Sequence, residues 1–144
     1  MAEKLFTVLQ QKAEYLQKMY TSYAKSVTDE GLRKFLQSMA EQERSHRQYL
    51  KEEIKEVGEL DESPYAEVLG AAEIHPNMDE LQSYSRTDFL EHAMQTQEVF
   101  LDLYQRLSEA CPTDELATFF HSMYIEERRH YNLVKDRYEL EALL

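Results

Sequence analysis

Along residues 32–46, LRKFLQSMAEQERSH, apolar residues recur at steps of three and four: Leu32, Phe35, Leu36 and Met39. That spacing predicts an amphipathic helix with one buried stripe. The next two positions of the stripe are Glu43 and His46, so a carboxylate and an imidazole stand where the pattern asks for Leu or Ile. The pattern returns at residues 116–130, LATFFHSMYIEERRH, where Leu116, Phe120 and Met123 lead into Glu127 and His130. Seven of the fifteen aligned positions are identical, which makes the second stretch a repeat of the first, in register with its stripe.

The same periodicity predicts four long helices, over about 3–27, 30–57, 85–110 and 114–141. Leu9, Leu16, Met19, Tyr20, Tyr23 and Val27 share one face of the first. Phe89, Ala93, Phe100, Leu103, Tyr104 and Leu107 share one face of the third. Between the first two helices, Thr28-Asp29-Glu30-Gly31 breaks the pattern and offers an N-cap with acidic residues behind it. Gly58 stops the second helix, and Ser85-Arg86-Thr87-Asp88 opens the third.

Residues 58–86 form the one long connection. Ser63-Pro64 reads as a cap followed by Pro at the first helical position, so a short helix to about Ala71 is expected. His75-Pro76-Asn77 reads as a turn, with another helical turn or two over 78–84. The two halves align without a gap. The chain therefore reads as a single domain over 1–144, with hairpin one at about 3–57 and hairpin two at about 87–141. The expected fold is an all-α four-helix bundle built from a duplicated hairpin, with 58–86 crossing between the halves. That connection can also shape the end of the domain or an oligomer contact, with a homodimer among the expected partners.

Composition narrows the function. The 144 residues suit one domain with a real core. The formal charge is −12. Such a surface repels nucleic acid and anionic membranes, so neither is an expected partner. No apolar run reaches membrane-spanning length, and MAEKLF lacks an apolar signal core. The expected compartment is the cytoplasm. Cys111 is the only cysteine, which excludes an internal disulfide and a multi-cysteine metal site within this chain. It reads as a small core or capping residue.

Glu-x-x-His sets two ligand-type side chains about one helical turn apart on one face. Burying a carboxylate alone is costly, so Glu43 and Glu127 need a partner or a metal. Two readings follow. In one, Glu43, His46, Glu127 and His130 bind metal; in the other, they form a buried Glu–His hydrogen-bond network. Tyr20 and Tyr104 lie on the inner stripe and are core residues or groups that support the site. Gln97 can ligate through its amide oxygen or hydrogen-bond a ligand. His75, His92 and His121 fall off the stripe or in a loop, and no metal role is expected for them. Arg44 and Arg128 point about 100° away from their glutamates and read as ion-pairing residues.

The stretches MAEQERSH at 39–46 and YIEERRH at 124–130 resemble the second- and fourth-helix motifs of the rubrerythrin-like branch of the ferritin-like superfamily. FTVLQQKAEYLQKMY at 6–20 and HAMQTQEVFLDLY at 92–104 resemble its first and third helices. The resemblance covers nearly the whole chain and implies a ferritin-like four-helix bundle with a di-iron or other di-metal centre, linked to peroxide reduction and oxidative-stress defence. Matched residue by residue, Glu43, His46, Glu127 and His130 take metal-ligand positions. The family pattern also has a glutamate seven residues before the tyrosine on helices one and three. Here those positions hold Ala13 and Gln97. The adjacent Glu14 and Glu98 are about 100° out of phase and are expected in solvent.

Three functions are thus in view. The first is an oxidoreductase whose di-iron centre reduces peroxide or activates oxygen, with electrons from a separate donor. The second is a non-catalytic binder of one divalent ion such as zinc, or of a weak metal pair, with manganese a further candidate. The third is a metal-free helical interaction module derived from the family.

Overall fold

The computed structural model describes residues 2–56, 77–110 and 113–144. The expected helix from Ser63-Pro64 to Ala71, the turn at His75-Pro76, and Val57, Gly58, Cys111 and Pro112 lie outside the described residues. Among the described residues, every regular element is helical. The elements are α1 (Ala2–Ser26), α2 (Glu30–Glu56), α3 (Met78–Gln82), α4 (Arg86–Ala110) and α5 (Asp114–Ala142).

Each helix after the first begins with a polar side chain that accepts a hydrogen bond from an otherwise unbonded backbone N–H of the first turn. Asp29 Oδ1 accepts from Leu32 N at 2.7 Å, and Asn77 Oδ1 from Glu80 N at 2.8 Å. Ser85 Oγ accepts from Asp88 N at 3.1 Å, and Thr113 Oγ1 from Leu116 N at 3.3 Å. Each such cap contributes about 1 kcal/mol. The caps explain why the sequence sets the helix starts so closely.

The chain divides into two compact units, α1–α3 and α4–α5. In the first, α1 packs along α2, burying Phe6, Leu9, Leu16, Met19 and Tyr20 on one side and Leu32, Leu36, Met39 and Leu50 on the other. Arg33 closes the turn between them, donating from Nη2 to the Val27 carbonyl at 2.7 Å. The short α3 lies on α1, with Leu81 buried and Gln82 Nε2 donating to the Ser22 carbonyl at 2.9 Å. In the second unit, α4 packs along α5. Phe89, Leu90, Phe100, Tyr104 and Leu107 from α4 are buried, as are Leu116, Phe120, Met123 and Val134 from α5.

Phe35, expected on the buried stripe, is only half-buried. It lies one residue before Leu36, and about 100° of rotation carries it to the edge of the face. Its repeat partner Phe119 is half-buried for the same reason.

Candidate metal centre

On α2 the fully buried residues run Leu32, Leu36, Met39, Glu43, His46, Leu50. The steps are four, three, four, three, four, so the helix turns all six inward. On α5 the same steps give Leu116, Phe120, Met123, Glu127, His130, Val134, again all buried. The apolar residues before and after each Glu-x-x-His pair hold that face in the interior. The carboxylate and imidazole are buried because of where the stripe places them.

The two pairs have nearly the same internal geometry. His46 Nδ1 lies 3.9 Å from Glu43 Oε2, and His130 Nδ1 lies 3.8 Å from Glu127 Oε2. Both distances are too long for a hydrogen bond. They lie inside the upper limit for two ligands of a common ion, twice a ligand bond of about 2.0–2.2 Å. Glu43, His46, Glu127 and His130 form a buried group whose ligand atoms all lie within 4.8 Å of one another, and this group could hold a metal ion.

The donor types fit. Two carboxylates supply negative charge and two imidazoles supply neutral nitrogen, a mixture taken by zinc, iron and manganese alike. Buried carboxylates also gain from a cation, which offsets their desolvation.

The rubrerythrin family model matches residues 3–138. The chain belongs to the rubrerythrin family. Family membership carries with it the all-α ferritin-like fold expected from the sequence. No curated protein and no solved structure matches the chain.

Against the rubrerythrin pattern, Ala13 and Gln97 are both buried. Glu14 is turned outward, its side chain 42% exposed and 2.9 Å from Lys18 Nζ. That ammonium holds the Glu14 carboxyl below the usual range through a hydrogen bond and its charge. Glu98 is exposed. Tyr20 and Tyr104 are buried, two turns along the same helix face from Ala13 and Gln97. Arg44 pairs with Glu41 on the surface, Arg128 is exposed, and so is His121. His92 is half-buried beside the Tyr84 ring, and burial lowers its pKa. His75 lies outside the described residues.

Sequence reasoning missed two buried charges. Lys12 is 6% exposed, and no periodicity argument selects a lysine for the interior. Glu141 is likewise 6% exposed. It stands two heptads beyond Glu127 on the same face of α5, and that spacing is the signal that would have found it.

Proposed function

We propose that this protein is a metal-binding rubrerythrin whose Glu43, His46, Glu127 and His130 hold one divalent ion. The observation that carries this reading is the buried group of two carboxylates and two imidazoles with ligand atoms within 4.8 Å. On this reading the two units are one domain, and each gives one Glu-x-x-His pair to the same ion. The carboxylates neutralise the ion's charge. The imidazoles must be neutral to bind, so affinity falls as pH drops through the histidine range. Tyr20, Tyr104 and Gln97 are buried polar groups that on this reading orient the ligands.

A second reading is the oxidoreductase one, and the family supports it: a di-iron centre that reduces peroxide or activates oxygen. Bound iron supplies the electron-transfer chemistry, and a separate donor supplies the electrons, since this chain has one cysteine. The donor count favours the first reading. With Ala13 and Gln97 buried where the resemblance implies glutamates, and Glu14 and Glu98 facing outward, the buried group among the described residues holds two carboxylates.

Elemental analysis of the purified protein, with calorimetric titration of Fe²⁺, Zn²⁺ and Mn²⁺, tests both readings. One ion per chain, lost when His46→Ala and His130→Ala are combined, is the expected result. Two ions per chain, with peroxide-dependent turnover of ferrous protein, would favour the second reading. No saturable binding of any of the three metals would overturn both.

A further inference from the structure

The α1–α2 hairpin carries two adjoining cavities of about 490 and about 320 Å³. Gln17, Thr21 and Lys25 line both. Volumes of this size are those of small-molecule sites. Lys18 and Arg47 complete the smaller cavity, and Gln37 and Glu41 the larger.

On a chain of net charge −12, the smaller cavity is positive. Lys18, Lys25 and Arg47 line it, and Glu14 pairs with Lys18 at 2.9 Å. Lys25 and Arg47 make no hydrogen bond or ion pair among the described residues; Arg47 feels Glu14 only at long range. Three cations less one carboxylate leave two positive charges, which match a phosphate monoester of about −1.5 to −2. The Ser22 hydroxyl, accepting from Gln82 Nε2, keeps its own proton to donate, and Thr21 adds a second hydroxyl.

The larger cavity calls for a different partner. Gln17 Oε1 is buried and accepts no hydrogen bond. A buried acceptor left unmatched costs about 1–3 kcal/mol, and a ligand hydroxyl would satisfy it. The exposed amide of Gln37 offers a further acceptor among the lining residues.

The duplication supplies an internal control. At the register-equivalent positions of hairpin two, Lys18, Lys25 and Arg47 are replaced by Asp102, Glu109 and Tyr131. The metal-ligand motif is retained in both halves, but the cationic face is present in one.

We propose that this face binds a small phosphorylated molecule bearing hydroxyl groups. Its phosphoryl group sits between Lys25 and Arg47, and a hydroxyl donates to Gln17 Oε1. This site is independent of the metal centre.

The test is calorimetric titration with ribose 5-phosphate, inorganic phosphate and ribose, on the wild-type protein and on Lys25→Glu, Arg47→Tyr and Gln17→Leu. The first two variants carry residues that hairpin two already accommodates, and unchanged helical circular dichroism and metal content show that they fold. The expected result is saturable binding of ribose 5-phosphate, tighter than phosphate, with none for ribose. Lys25→Glu and Arg47→Tyr should each weaken it about tenfold or more, the loss of one charge-assisted contact. Gln17→Leu should bring ribose 5-phosphate down to the affinity of phosphate. No saturable binding to the wild type, or binding that survives both charge variants, overturns the proposal. Loss of metal binding with phosphate binding intact would sink the metal reading alone.

Discussion

Hairpin one and hairpin two are copies of one design that have diverged unevenly. Their inward faces agree closely. Both bury a stripe leading into Glu-x-x-His, and the His–Glu separations differ by a tenth of an ångström, 3.9 against 3.8 Å. Beside the centre they differ, with Ala13 in one and Gln97 in the other. Their outward faces have gone separate ways, cationic at Lys18 and Lys25, anionic at Asp102 and Glu109. The lesson is physical. Inside, a change of one methylene or one charge is felt at once, so only compatible residues persist. Outside, water screens what a side chain does, and the face is free to take on a task of its own.

The largest effects expected lie on the shared stripe. Phe120 and its repeat partner Leu36 are both fully buried, one residue class larger in hairpin two. Phe120→Ala should cost about 3–5 kcal/mol and Leu36→Ala about 2–5 kcal/mol. Chemical denaturation checks this, and a cost under 1 kcal/mol at either site would mean that the two cores are not built alike.

Next come the two positions where the copies disagree beside the centre. Gln97→Glu nearly preserves volume and adds a charge, whereas Ala13→Glu also forces a longer side chain into a buried place. Without metal, Ala13→Glu should therefore destabilise more, by about 1–3 kcal/mol for the overpacking alone. With metal, both should regain stability through binding to the folded state, and the double variant should bind Fe²⁺ more tightly than wild type. Glu14→Gln and Glu98→Gln serve as outward controls and should leave metal content unchanged. Metal-titrated thermal unfolding decides the matter; a double variant indifferent to metal would show that positions 13 and 97 do not serve the centre.

The smallest effect is a pH dependence held by one hairpin. His92 stands where hairpin one has Val8, and burial lowers its pKa. A lowered histidine pKa means that the unfolded chain takes up the proton first. Stability is then full above the unfolded value of about 6.5 and declines as pH falls below it. His92→Val should flatten the stability profile in that window. An unchanged profile would move the effect to another group.

Much of this was legible in the sequence because burial and helical period speak the same language. The starts of α2 and α4 were readable from Asp29 and Ser85, whose side chains make the caps. Glu43, His46, Glu127 and His130 stood out because each broke an apolar stripe. Glu14 and Glu98 could be set aside by phase alone. Lys12 was not legible, and Glu141 showed only through its two-heptad spacing from Glu127. Charged residues are buried only when tertiary partners allow it, and Arg86 is distant in sequence from Glu141. The outward groove was also hidden, since it depends on which polar residues of α1 and α2 face the same hollow.

Glu141 has a last consequence. Its Oε1 accepts from Arg137 Nε and Nη2 at 3.1 and 2.8 Å, and its Oε2 lies 3.5 Å from Nη1 of Arg86. Arg86 is the first residue of α4 and Glu141 is in the last turn of α5. Helix ends ordinarily fray, and their amides exchange with solvent almost as fast as an open chain's. Here the fraying of one terminus would have to release the other as well. The final turn of α5 and the first turn of α4 should therefore open together, as one cooperative unit in hydrogen exchange, rather than peel away one residue at a time.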